Sequence, residues 1–335
     1  MAPMEQRAFE RWGRHASVVG LGTWQLGADW GDVDEDDARR ILQAAVDAGV
    51  TFLDTADVYG DGRSEMIIGT FLRALPAATR DTIVVATKMG RRVPQEPAAY
   101  TVDNFRAWTD RSRANLGVDR LDLVQLHCPP TPVYGLDQTF DDLDTLVAEG
   151  RIGAYGVSVE TCAEALAAIA RPGVVSVQII LNAFRRKPLD EVLPAARAAG
   201  VGIIARVPLA SGLLSGRYRH DTVFPADDHR TYNRHGEAFD VGETFSGVDY
   251  ATGVRAASEF TEFARQAAPD ATAAQVALAW VAAQDGVSSV IPGARNPEQA
   301  RANAAAGSLE LPASFQSQVR ELYDRDIRPL VHDRW

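Results

Sequence analysis

The chain has 335 residues, 46% apolar and 24% charged, with 34 Lys+Arg against 45 Asp+Glu for a formal net charge of −11. That is enough apolar material for a sizeable core, so a disordered or fibrous chain is excluded, and the acidic balance argues against an extended surface for nucleic acid or anionic membrane. With no apolar run near the ~18–20 residues a bilayer needs, a polar segment at 1–14, and only Cys128 and Cys162 without CxxC spacing, the expectation is a soluble cytoplasmic protein with neither a disulfide framework nor a cysteine-held metal.

Short apolar, β-branched runs at 18–21, 51–54, 83–88, 121–127, 154–158, 174–181, 202–207 and 288–292 read as strands. Between them, segments with helical spacing of apolar residues fall at 36–48, 64–72, 102–116, 140–149, 161–169, 189–199 and 272–283. Strands separated by helices predict a parallel sheet with crossover helices. "DAGVTFLDT", "NLGVDRLDLV", "AEGRIGAYGVS" and "RAAGVGIIA" each place a glycine after a helix and a strand directly behind it. That recurring junction favours an α/β fold of the (β/α)8 TIM-barrel type, and the absence of a Pro/Gly/Ser-rich linker predicts one domain over 1–335. Two parts break the rhythm: a long polar stretch at 217–250 after the seventh strand, and a tail with one more helix at 313–324. A loop of that length in a compact domain is usually a functional lid or partly mobile.

Asp54, Lys88 and His127 end the second, third and fourth strands, and Tyr59 lies five residues past Asp54. On a parallel barrel the C-terminal strand ends share one rim, where barrel enzymes keep their active sites. Taken singly, each residue has an ordinary explanation: a helix cap, a packed ring, a structural histidine. Together they form a chemical set. Lys88 is one of two lysines beside 32 arginines, and the lysine ammonium, unlike a guanidinium, can exchange its proton and responds to burial. A lysine beside a tyrosine hydroxyl stabilises phenolate and lowers the phenol pKa, an aspartate holds that lysine, and a phenol so tuned is a general acid for a carbonyl oxygen. His127 would orient the carbonyl.

The segments "GLGTWQLG", "FLDTADVYGDGRSEMIIG", "VVATKMG", "LDLVQLHCPP", "GVSVE" and "IPGARNPEQARAN" follow in the order and spacing of the aldo-keto reductase superfamily, which the chain resembles over roughly residues 14–325. The resemblance implies a barrel that binds NADP(H) without a Rossmann domain, and a tetrad at Asp54, Tyr59, Lys88 and His127. In it Tyr59 is the proton donor, Lys88 and Asp54 its tuning pair, and His127 the carbonyl-orienting group. It further implies that Gly22, Thr23 and Trp24 approach the nicotinamide and the substrate, with Trp30 alongside. For both tryptophans core packing remains the alternative. Gly20, Gly22 and Gly27 do not make a dinucleotide fingerprint, since the third glycine comes too late.

By the same resemblance Ser158 and Gln178 face the nicotinamide carboxamide, although Val159 stands where many members have Asn. Arg206 falls where an aromatic ring commonly stacks on the nicotinamide; a guanidinium can stack too, and pairing with a carboxylate is the other reading of Arg206. "PLASGLLSGR" resembles the loop over the pyrophosphate, implying contacts from Leu209, Ser211, Gly212, Leu213 and Ser215. "IPGARNPEQARAN" opens a helix whose N-terminus favours anions. There Arg295 would meet the adenosine 2′-phosphate, Gln299 and Asn303 the adenosine and adenine. Gly293 takes the place of a lysine found in some branches.

The histidines His220, His229 and His235 share the long loop with Asp221, Asp227 and Asp228, but their spacing matches no zinc motif and no metal is expected. The reaction implied is NADPH-dependent reduction of an aldehyde or ketone, running reversibly. The alternative from another class is a cofactor-binding regulatory subunit of the channel-β type.

Overall fold

The computed structural model describes residues 4–27 and 33–335. An antiparallel hairpin, β1 (Gln6–Phe9) with β2 (Arg14–Ser17), comes first. Then follow β3 (Leu21–Gly22), β4 (Phe52–Asp54), β5 (Val84–Met89), β6 (Leu121–His127), β7 (Ile152–Ser158), β8 (Val174–Ile180), β9 (Gly202–Arg206) and β10 (Val287–Val290). These eight pair in sequence order, every neighbour parallel. Parallel bridges Val19–Val290 and Gly22–Gly293, with Gly20 N–H donating to Val290 O at 2.8 Å, close the sheet on itself. The result is the (β/α)8 barrel that the sequence predicts.

The expected crossover helices are present at Glu35–Asp47, Arg63–Ala74, Val102–Leu116, Asp137–Ala148, Cys162–Ile169, Val192–Ala199 and Ala273–Ala282. Side-chain caps fix several starts: Asp34, Thr101, Thr161 and Thr272 each accept from a backbone N–H of the first turn, and the last two form capping boxes. The glycines of the four junctions, Gly49, Gly117, Gly150 and Gly200, all have left-handed φ, as a helix stop requires.

Among the described residues, two larger elements were not expected. One is the N-terminal hairpin, which plugs the N-terminal end of the barrel. Phe9 stacks on Phe52 at 5.8 Å and meets Trp12 edge-on at 5.9 Å. The fit is close, since a Cβ on Gly202 would stand 2.1 Å from the Phe9 ring. Arginines of the hairpin satisfy carbonyls at element ends: Arg7 donates to Ala282 O and Val287 O at 2.7 Å, and Arg11 to Arg171 O at 2.8 Å and Val174 O at 2.9 Å. The other is the 18-residue helix Tyr250–Ala267, which follows the long polar stretch directly.

The barrel interior is layered by strand alternation. Phe52, Ala86, Leu123, Ala154 and Ile204 join Phe9 in an apolar lower cluster. Two residues further along four of these strands come Asp54, Lys88, Gln125 and Arg206, on the same inner face because side chains alternate along a strand. Pairing registers Gly22–Asp54, Lys88–Gln125, His127–Ser158 and Ser158–Gln178 carry that polar layer around the C-terminal rim. Among the described residues no helix is long and apolar enough to cross a membrane.

Candidate active site

Asp54 and Lys88 are nearly sealed, with 1% and 2% of their side-chain surface exposed. The Lys88 ammonium donates to both Asp54 oxygens (2.7 Å to Oδ1), to Thr55 O at 2.9 Å and to the Tyr59 hydroxyl at 3.4 Å. From the other side Gln178 Nε2 donates to Asp54 Oδ1 at 2.8 Å and to Gln125 Oε1 at 3.2 Å. Tyr59 comes from the turn Tyr59–Gly62. The turn packs so tightly that a Cβ on Gly60, whose φ is +58°, would stand 2.0 Å from Gly27 O. The Tyr59 and His127 rings meet edge to face at 6.1 Å. The four residues expected together are together.

Burial lowers the Lys88 ammonium, but Asp54 and Tyr59 outweigh it and hold Lys88 above the usual lysine range. Burial pushes the Asp54 carboxyl up, with Lys88 and Gln178 pulling the other way. Tyr59 corrects an expectation: burial raises its phenol above the ordinary value, and the opposing pull of Lys88 does not reverse this because Asp54 and Glu243 add to the rise. The group is a neutral phenol whose anion the ammonium stabilises, not a phenol already acidified. Burial, with Arg91, Lys88 and Arg206 nearby, holds His127 well below the usual imidazole range, so it is neutral.

Asp54, Tyr59 and His127 open onto a cavity of about 460 Å³. Gly22, Thr23, Trp24, Ser158, Gln178 and Arg206 line it, as do Leu209, Ser211, Gly212 and Ser215 and, from the last strand onward, Gly293, Arg295, Gln299 and Asn303. Lys88 sits directly behind. Leu213 does not line it: its side chain is buried against Gly253. Trp30 lies outside the described residues. Trp24 is in the cavity wall with its ring 5.5 Å from that of His229. Asn303 Nδ2 donates to Gly293 O at 3.0 Å and Gln299 Oε1 accepts from Arg295 N–H at 2.8 Å, bracing the start of the helix Pro297–Ala305.

Arg206 takes the carboxylate reading. It donates to Glu243 Oε1, to Glu160 Oε2 at 2.9 Å and to Val159 O at 3.0 Å, while still facing the cavity. The Ser211 hydroxyl is likewise engaged, donating to Glu243 O at 2.8 Å and accepting from Phe245 N–H at 2.9 Å. Sequence reasoning expected the long loop to be functional but assigned none of its residues to the cavity: Tyr218, His229, Arg230, Phe239 and Glu243 all line it. Its length was the sole hint. The same reasoning missed Asp57, fully buried with neither carboxylate oxygen hydrogen-bonded among the described residues; burial, then Glu65 nearby, push its carboxyl up to about 7. The loop histidines form no metal-ligand group among the described residues, and burial pushes the Cys128 thiol up to about 12, leaving it unreactive.

The donor set also suits a dinucleotide phosphate: an amide and a hydroxyl (Gln178, Ser158) on the strand ends, small and hydroxyl residues after β9, and Arg217, Arg230 and Arg295 with a helix start in the remaining wall.

A closed parallel barrel with an Asp–Lys–Tyr–His set at its C-terminal rim defines a class of barrel enzymes, and comparison with known proteins specifies it. The model of the Aldo/keto reductase family matches residues 18–324, and the chain belongs to that family. An uncharacterized oxidoreductase of Mycobacterium tuberculosis is 34% identical over 331 residues, covering 95% of this chain and 93% of the relative. An aldo-keto reductase of Bacillus subtilis is 27% identical, with 97% and 95% covered. Among solved structures, a glycerol dehydrogenase from Gluconobacter oxydans superposes with a TM-score of 0.80 at 28% identity, covering 98% of this chain and 97% of that one. An aldo/keto reductase from Klebsiella pneumoniae, in complex with NADP and acetate, gives 0.70 at 25% identity with 95% of each chain covered.

Proposed function

We propose that this protein is an NADP(H)-dependent oxidoreductase that reduces an aldehyde or ketone to the alcohol, reversibly, the whole chain acting as one barrel domain on a small molecule in the cytoplasm. The observation that carries the reading is the Lys88 ammonium, sealed between Asp54 and the Tyr59 hydroxyl at the edge of the cavity. When bound, the cofactor supplies the hydride. Everything else falls to the chain. Tyr59 donates its proton to the carbonyl oxygen as that oxygen gains charge, and Lys88, held protonated by Asp54, stabilises the phenolate left behind. The neutral His127 ring offers an N–H to the same oxygen without adding a full charge. Gln178 and Ser158 would take the carboxamide end of the cofactor, and Arg295 its 2′-phosphate. Supporting the cofactor choice, a structural neighbour is described in complex with NADP.

The test is consumption of NADPH with a panel of aliphatic and aromatic aldehydes, wild type beside Tyr59→Phe. Removing the proton donor is expected to lower turnover by ~10²–10⁴-fold with NADPH affinity unchanged. Normal turnover in the variant would remove Tyr59 from its role. NADPH binding with no turnover by wild type would favour the regulatory-subunit alternative.

A further inference from the structure

Beneath the floor of the cavity, one amide decides which way another faces. Gln178 lines the cavity from β8, and a primary amide there can offer either N–H donors or a carbonyl acceptor. Its partners on the side away from the cavity settle the choice. Gln178 Nε2 donates to Asp54 Oδ1 at 2.8 Å, and a carboxylate paired with a lysine ammonium only accepts. The same nitrogen donates to Gln125 Oε1 at 3.2 Å, so both of its N–H groups have acceptors below. Gln178 Oε1 is left without a hydrogen bond among the described residues. Turning the amide over would bring that oxygen against the oxygens of Asp54 and Gln125, with no proton between them.

Gln125 is no part of the cavity wall. It is fully buried on β6, in register with Lys88 on one side and Gly156 on the other. Its Nε2 has no hydrogen-bond partner among the described residues, so its acceptor end is the one engaged. An apolar side chain in its place would leave a buried N–H of Gln178 without an acceptor, and the bond to Asp54 alone would let the amide turn.

We propose that Gln125 is a positioning residue: acting through Gln178, it makes the cavity floor an acceptor for a primary amide, so that the chain recognises the N–H2 group of the nicotinamide carboxamide. The proposal rests on the NADP(H) reading and deepens it. Ser158 complements the arrangement, because its hydroxyl accepts from Cys128 Sγ at 3.4 Å and keeps its own proton to donate into the same cavity. An acceptor and a donor then match the two ends of a carboxamide. A ligand lacking the N–H2 leaves Gln178 Oε1 buried without a partner.

The test is binding, followed by quenching of protein fluorescence, of NADP and of 3-acetylpyridine adenine dinucleotide phosphate, in which a methyl group replaces the amide N–H2. Wild type should bind NADP about tenfold more tightly than the analogue, the worth of one such hydrogen bond. In Gln125→Met, an unbranched side chain with no oxygen acceptor, the ratio should fall to about twofold or less, through weaker binding of NADP with the analogue little changed. Gln125→Glu keeps an acceptor oxygen at the same reach and should preserve the ratio. A purely structural role for Gln125 would weaken both ligands together and leave the ratio of Gln125→Met at the wild-type value, which overturns the proposal. If Gln125→Met does not fold, Gln125→Glu decides: a preserved ratio supports the acceptor role and a collapsed one overturns it. Equal affinities in wild type overturn the outward orientation of Gln178 Oε1, and the role of Gln125 with it, while NADP binding stands. Binding of neither dinucleotide overturns the NADP(H) reading itself.

Discussion

The two ends of the barrel solve opposite problems. At the hairpin end, rings of Phe9, Trp12 and Phe52 pack on one another and arginine donors are spent on waiting carbonyls. At the rim, buried polar atoms lack hydrogen-bond partners among the described residues: both oxygens of Asp57, Gln125 Nε2, His127 Nδ1 and Arg206 Nε. Backbone strain concentrates there too, with non-glycine residues Cys128, Val207, Ala210, Ser211, Phe245 and Ser246 in the left-handed region; for the β-branched Val207 that conformation is a true outlier. Each such residue costs on the order of 1–3 kcal/mol. One end accumulates stability and the other holds groups in unfavourable states where a ligand can use them.

Substitutions that act on one end and not the other sharpen this contrast. Phe9→Ala should cost the most, about 3–5 kcal/mol of unfolding free energy for a large ring removed from a tight site. Turnover per folded molecule should stay near wild type; urea denaturation with parallel assays would show whether loss of activity accompanies the plug, which would break the division. Arg295→Ala should leave stability intact and weaken NADPH by about 10- to 100-fold, the worth of a charged hydrogen bond or two. NADH should be nearly unaffected, and equal losses for both cofactors would place the phosphate elsewhere. The effect expected from Asp57→Asn is confined to the pH dependence of stability. With its carboxyl at about 7 in the fold and near 3.9 unfolded, Asp57 is protonated in the folded protein and ionised in the unfolded one between those values. Wild type therefore loses stability as pH rises through that window. The asparagine variant should lose less, flattening the melting-temperature profile by a few °C; parallel profiles would show that Asp57 keeps an ordinary carboxyl.

The rim was legible in the sequence because parallel strands buried on both faces are written as continuous apolar runs, so a polar residue that ends one is conspicuous. Asp54, Lys88 and His127 stand out in that way, and the junction glycines mark where four of the strands begin. The hairpin was not legible because its four-residue strands are charged and its role depends on carbonyls supplied by residues more than 150 positions away. The helix Tyr250–Ala267 was lost behind the polar stretch it follows. Glu243 and Arg206 illustrate a deeper limit. Neighbours across a cavity leave no spacing in the chain, and a charged residue in a polar loop reads as solvated until the loop is folded back. The direction of the Tyr59 shift was missed for a related reason: a nearby ammonium can be guessed from a motif, whereas the degree of burial opposing it cannot.

The near absence of lysine has a consequence for the protein's own chemical survival. Aldehydes condense with unprotonated primary amines to imines, a slow route to cross-linking for any protein that handles them. Of 335 residues, two carry such an amine on the side chain. Lys88 is sealed and held as ammonium by Asp54, which denies it the lone pair the reaction needs. That leaves Lys187, half-buried, as the one remaining side-chain amine. A chain that covers its surface with guanidinium groups in place of amines keeps its positive charge while presenting a reactive carbonyl with very few nucleophiles.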